Sequence, residues 1–147
     1  MYMISACLLG ENCKYDGGNN ACQWVMDFAK NHSYIPVCPE SEGGLAAPRP
    51  PAEIIGEKVM DRDGKDVTAA FLGGAEASYN RAKAATAAAG EPIEGAILKA
   101  KSPSCGKDRI YDGTFSKTLT EGDGCLVRLL KQDNIHVITE KERIDND

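Results

Sequence analysis

Tyr2-Met3-Ile4-Ser5-Ala6-Cys7-Leu8-Leu9-Gly10 opens the chain. Tyr2 to Ala6 is short and apolar, and the turn-rich stretch Gly10 to Asn20 follows it, a combination that predicts a buried strand running into a loop. Cys7 stands where that strand ends. Working outward, the arrangement recurs twice. Tyr34 to Cys38 is a second strand candidate, stopped by Pro39 and by a Gly- and Pro-rich loop through Pro51. Gly95 to Lys99 is a third, followed by the turn Ser102-Pro103-Ser104-Cys105-Gly106. A cysteine therefore follows each strand: Cys7, Cys38 and Cys105.

Helical patterns separate these strands. Ala21 to Lys30 sets Cys22, Val25, Met26 and Ala29 at three- and four-residue spacings, with Asn19 or Asn20 as the expected N-cap. Ile54 to Asp63 reads as one short extended segment. Asp66 or Thr68 then caps a long Ala-rich helix to about Ala89, stopped by Gly90 and Pro92. Gly124 to Asp133 carries Leu126, Leu129 and Leu130 at helical spacing, Ile135 to Ile138 is a last strand, and the charged tail Glu140 to Asp147 is expected to fray. Strands alternating with helices imply crossover connections, hence an α/β fold: one domain over residues 1–147, with a mostly parallel, Rossmann-like sheet flanked by helices. In such a sheet the C-terminal strand ends share an edge, where sites form. The fold therefore gathers three cysteines that lie far apart in sequence.

Composition narrows the function. The 147 residues carry 17 Lys+Arg against 22 Asp+Glu, net −5, which gives no general attraction to a nucleic-acid polymer or to anionic lipid. Apolar runs fall far short of the roughly 20 residues that cross a bilayer. The N-terminus lacks the basic and apolar regions of a secretory signal, so the expected location is the cytoplasm. A reducing compartment turns six cysteines toward metal binding or catalysis rather than disulfides. No CxxC pair occurs and there are two histidines, His32 and His136, so common zinc-finger spacings are absent.

Three thiolates suit a soft metal or an iron–sulfur cluster and leave one position open for substrate. Glu40 and Glu42 follow Cys38 closely and offer a carboxylate to take a proton from water, while Ser102 and Ser104 offer hydroxyl donors. Glycine-rich loops with Arg49, Lys99 and Lys101 offer a phosphate cradle. Tyr-Asp-Gly occurs at 15–17 and 111–113, where ordinary Asp-Gly turns are expected, with Asp16 and Asp112 kept as ligand contacts. Plainer readings stand beside these: buried inert thiols for the three cysteines, and a solvated loop for Glu40 and Glu42. Cys22 and Cys125 read as small hydrophobes on helices, the histidines receive no role, and Cys13 is open because its loop follows Cys7.

Taken together, Ser5-Ala6-Cys7-Leu8-Leu9-Gly10 with Tyr15-Asp16-Gly17, Pro36-Val37-Cys38-Pro39-Glu40, Pro48-Arg49-Pro50-Pro51, Ser102-Pro103-Ser104-Cys105-Gly106 and Ile110-Tyr111-Asp112-Gly113-Thr114-Phe115 resemble the thiouracil desulfidase (TudS-like) family, from about Met3 to Thr139. The resemblance implies a [4Fe-4S] cluster held by Cys7, Cys38 and Cys105, whose remaining iron takes the sulfur of a thiolated uracil or its nucleotide, such as 4-thiouridine monophosphate. Water then replaces the sulfur without net electron transfer. It implies Glu40 as base, with Glu42 as fallback, and Ser102 as hydrogen-bond partner, with Ser104 as fallback. Asp16, Arg49 and Lys101 are the expected substrate contacts. The expected partner is a small thiolated nucleobase or nucleotide, with the oligomeric state open. Two other functions compete: a ligand-binding module with a structural cluster or zinc ion, and a metal-free thiol redox protein using Cys7 and Cys13.

Overall fold

A computed structural model describes residues 1–143. Strand β1 (Tyr2–Ser5) passes into one 3₁₀ turn, Ala6–Leu9, and helix α1 (Gln23–Lys30) returns the chain to β2 (Tyr34–Val37) and the single turn α2 (Pro39–Glu42). Strands β3 (Ala52–Ile55) and β4 (Lys58–Asp61) form an antiparallel hairpin before the long helix α3 (Thr68–Ala89). Next come β5 (Gly95–Leu98), a second hairpin of β6 (Arg109–Tyr111) and β7 (Leu119–Glu121), then α4 (Cys125–Gln132) and β8 (Val137–Thr139). Strands β2, β1, β5 and β8 hydrogen-bond in that order into a parallel four-stranded sheet, as the α/β reading predicted. Pro36 cannot donate to a ladder, and the order places its strand at the edge, paired with β1 only.

The strands read as apolar runs because both sheet faces are covered. Met3, Ala96, Leu98 and Val137 pack with Phe71, Ala75, Tyr79 and Ala82 of α3 and with Leu126 and Leu130 of α4. Their neighbours Ile4, Ile97 and Ile138 face the other way, onto Val25 and Phe28 of α1 and Leu8 of the 3₁₀ turn. Alternation along each strand thus splits one apolar run between two cores.

The turn α2, which carries the cysteine-proximal carboxylates, is seated on α3 without side chains between the backbones. A Cβ on Gly74 would lie 1.8 Å from the Pro39 carbonyl oxygen, and one on Gly43 would lie 2.0 Å from that of Ala70. Gly74→Ala is therefore expected to destabilise the protein by about 3 kcal/mol, read by urea unfolding, because backbone cannot yield as a flexible side chain can.

Several local expectations are corrected. Ile54 to Asp63 is two strands, not one, turned at Gly56 with φ 63° and beginning at Ala52. The β6–β7 hairpin lies in a stretch where the sequence reading marks only the turn at 111–113, because three-residue strands carry almost no periodicity. Helix α1 starts at Gln23, with Cys22 at its N-cap and Asn19 bonding Ala21 instead. Helix α3 has Val67 at its N-cap, while Asp66 accepts from the Thr68 N–H. Gly90 ends α3 at φ 68° as predicted. The start of the tail does not fray: Glu140 and Glu142 are held by Lys99 and Lys107, and residues 144–147 lie outside the described residues. Among the described residues no helix is long and apolar enough to cross a membrane.

Candidate active site

The C-terminal strand ends carry the site. Cys7 lies in the 3₁₀ turn after β1, Cys38 is the N-cap residue of α2 after β2, and Cys105 lies in the turn after β5. All three line one cavity of about 400 Å³, together with Cys13, Glu40, Arg49, Lys99, Ser102 and Ser104. The Cys105 turn is fixed at both ends. Ser102 Oγ accepts the Cys105 N–H at 2.9 Å, and the first N–H groups of α4 donate to the Pro103 and Ser104 carbonyls. Gly124 permits that contact, since a Cβ there would lie 2.6 Å from the Ser104 carbonyl oxygen.

The four thiols do not share protons equally. A hydrogen bond from the Cys13 thiol, outweighing burial, lowers Cys7 and brings Cys38 down to about 6, with Ser41 also bonding Cys38. Cys13 itself is raised, because its proton is held between the Cys38 and Cys7 sulfurs. Burial pushes Cys105 up to about 12, against hydrogen bonds from Ser5 and Ser104. The site thus favours the thiolate form of Cys38, the form in which a cysteine acts as a nucleophile or soft-metal ligand.

Glu40 occupies the cavity and Glu42 does not. Glu40 Oε1 accepts from Arg49 Nε at 3.0 Å and its Oε2 accepts from Ser104 Oγ at 2.9 Å, with the Glu40 and Arg49 side chains 16% and 8% exposed. Arg49 also donates to the Cys13 carbonyl at 2.9 Å, so it is committed to positioning Glu40 and the Cys13 loop. Glu42 turns to α3, bonded by Arg81 at 2.7 Å and by Ser78. Ser104 is the serine bonded to Glu40, and Ser102 is occupied in its own turn. Lys101 and Asp16 lie away from the cavity lining. Lys101 has φ 75° and bridges to Ile110, while Asp16, half exposed, closes its own turn by accepting the Gly18 N–H at 2.9 Å and pairs with Lys14.

The donor set tests the cofactor. Among the described residues no three of His, Cys, Asp and Glu converge closely enough to hold a single metal ion, yet Cys7, Cys38 and Cys105 face one roomy cavity. Soft donors spread around a space fit a polynuclear iron–sulfur group, each cysteine meeting its own iron, better than one tetrahedral ion.

Known proteins resemble this chain along nearly its whole length. Residues 2–142 match the family described as 2-thiouracil desulfurase. The chain belongs to the 2-thiouracil desulfurase family. An uncharacterized protein of Bacillus subtilis (strain 168), YbbK, is 37% identical over 155 residues, covering 99% of each chain. A solved structure, the [4Fe-4S]-dependent thiouracil desulfidase TudS, superposes with a TM-score of 0.82 at 41% identity, covering 95% of this chain and 90% of that one.

Sequence reading of this desulfurase-family chain missed three contributors. Ser5 is 2% exposed and lines the cavity; its Oγ accepts the Lys99 N–H at 2.9 Å and faces the Cys105 sulfur. A serine inside an apolar strand was the available signal, since a buried hydroxyl needs a partner. Glu140, after β8, accepts from the Ala100 N–H at 2.7 Å and pairs with Lys99 at 2.9 Å. Glu53 is the third, a buried carboxylate on the cavity wall.

Glu42 gives a stability prediction. Burial raises its carboxyl, but Arg81 and Ser78 outweigh that and leave it below its ordinary value of 4.5. Its contribution is therefore complete above 4.5 and is lost as pH falls through the lower folded value. Glu42→Gln is expected to cost about 1–2 kcal/mol at pH 7 by urea unfolding, with variant and wild type converging in that acid range.

Proposed function

We propose that this chain removes sulfur from a thiolated uracil or its nucleotide, 4-thiouridine monophosphate being one instance, by a hydrolytic exchange without net electron transfer. In balance, C=S plus water gives C=O plus hydrogen sulfide. The observation that carries the reading is the joint presence, in one cavity, of Cys7, Cys38 and Cys105 with the Arg49–Glu40–Ser104 chain. Cys7, Cys38 and Cys105 would hold a [4Fe-4S] cluster, which would supply a soft Lewis acid suited to the substrate sulfur.

The chain's own groups do the rest. Glu40 is the base: each carboxylate oxygen accepts one hydrogen bond and keeps a lone pair for a water proton. Arg49 fixes its rotamer. Ser104 links Glu40 to the Cys105 turn by giving its one hydroxyl proton to the carboxylate, and so takes the hydrogen-bonding place assigned to Ser102 in the first instance. At the rim, exposed Arg62 and Lys117 take a substrate phosphate, a task first given to Arg49, Lys99 and Lys101. The substrate is a small molecule rather than a nucleic-acid polymer, and the reaction is assigned to the cytoplasm.

Anaerobic reconstitution with iron and sulfide, followed by assay of sulfide release from 2-thiouracil and 4-thiouridine monophosphate, tests the reading. Release from either supports it. A fully loaded protein that releases none from both overturns it. The thiol redox reading has one observation of its own, the presence of Cys13 beside Cys7 and Cys38 on the wall of one cavity; it requires a reversible disulfide and no iron in anaerobically purified protein.

A further inference from the structure

The motif Ile110 to Phe115 has no part in the chemistry above, yet it brings Tyr111 and Phe115 to the cavity, and Lys117 joins them from the same loop. Between β6 and β7 the chain makes an arch closed by the Asp112 N–H on the Thr118 carbonyl at 2.9 Å. Its residues alternate. The hydroxyls of Thr114, Ser116 and Thr118 bond one another in series, and the intervening Phe115 and Lys117 line the cavity. Phe115 and Lys117 adopt φ 56° and 60°, a left-handed conformation that side chains avoid unless their surroundings impose it.

Glu53, on β3, holds the Phe115 side of this arch. Its Oε1 accepts the N–H of Gly113 at 2.9 Å and of Phe115 at 3.1 Å, and the residue is 7% exposed. Gly113, at φ 94°, rests on β3, where a Cβ would meet the Ile54 carbonyl oxygen at 3.0 Å. The hydroxyl series already closes the arch, so closure needs no carboxylate. A buried carboxylate is costly to keep, and this one spends its hydrogen bonds on the two N–H groups that flank Thr114.

We propose that Glu53 is a positioning residue: it clamps the arch so that the Phe115 ring forms a preset wall of the cavity against which a planar pyrimidine stacks. The pyrimidine class rests on the desulfidase reading; the clamp rests on the hydrogen bonds. An aromatic face discriminates a flat ring from an aliphatic thiocarbonyl compound of similar size, and stacking on aromatic side chains makes up much of the affinity for a base.

The test uses cluster-loaded protein with 2-thiouracil. Glu53→Ala is expected to raise KM about tenfold with kcat within about twofold and iron content unchanged. Phe115→Leu should reproduce that split, whereas Glu53→Gln, whose amide oxygen accepts the same two N–H groups, should keep a near-wild-type KM. Hydrogen exchange at the Gly113 and Phe115 amides should quicken about tenfold in Glu53→Ala, the cost of an opened hydrogen-bonded loop, and stay slow in Phe115→Leu. An unchanged KM in either Glu53→Ala or Phe115→Leu, or a loss confined to kcat or to iron content, overturns the proposal while leaving desulfidation intact. If the loaded wild type turns over no thiolated substrate, the desulfidase reading fails instead. The wall is then judged by calorimetric uracil binding: affinity lost in both variants upholds it, and equal affinity, or no binding by the wild type, removes it.

Discussion

Cys105→Ala protein, reconstituted anaerobically with iron and sulfide, is expected to hold no four-iron cluster and to release no sulfide from thiolated uracil. Cys105 is the most informative of the three proposed ligands. It is 4% exposed, its hydrogen-bond partners are the hydroxyls of Ser5 and Ser104, and the one thiol that acts on it, Cys7, is itself a proposed ligand. Cys7 and Cys38 each have Cys13 bonded beside them, a thiol able to stand in when one is removed. The same loss is expected for Cys7→Ala and Cys38→Ala, with partial iron retention traceable to Cys13 as the informative departure. The alanine at 105 removes only a sulfur from a turn fixed by Ser102 and α4, so the apoprotein should still fold, with a cost of about 1 kcal/mol. Iron and acid-labile sulfide analysis decides the matter, with Cys22→Ala as the control that keeps full content, since Cys22 packs on the α1 side of the sheet. A full cluster in Cys105→Ala would sink the ligand assignment.

Glu40→Gln should separate chemistry from assembly. The amide keeps the shape, and its oxygen can hold one of the bonds now made to Arg49 and Ser104, but it cannot take a proton from water. Sulfide release is expected to fall by on the order of 10³-fold, with iron content unchanged. Glu42→Gln serves as the comparison, because that carboxylate accepts from Arg81, Ser78 and the Cys38 N–H and is not among the groups that line the cavity. If Glu40→Gln retains wild-type turnover, or if both variants lose activity equally, Glu40 is not the base.

The three cysteines were legible because a parallel sheet converts sequence positions after strands into spatial neighbours. Cys7, Cys38 and Cys105 therefore gathered as the strand pattern implied. The choice between Glu40 and Glu42 was not legible. Two residues apart on a single helical turn, they point to opposite sides, and only the seat of α2 on Gly74 decides which side holds the cavity. The serines posed the same problem, with Ser102 used up in capping its turn and Ser104 left for Glu40. Lys101 and Asp16 drew attention as charges in or beside motifs, but neither is among the residues that line the cavity, and Asp16 closes its own Asx turn. Glu53, Glu140 and the β6–β7 arch escaped notice because their partners lie far along the chain, and no local pattern announces a long-range hydrogen bond.

The parallel sheet also fixes the order in which the protein matures. Its three proposed ligands are borne by separate strand ends, with α1, the first hairpin and α3 between them, so an unfolded chain would have to close long loops to present them together. The core needs no inorganic staple to close those loops, because two apolar faces already do so. Folding therefore comes first and loading last, the reverse of a zinc finger that collapses around its ion. The three cysteines would then meet iron in a pocket already shaped by the sheet, rather than shape the fold around it.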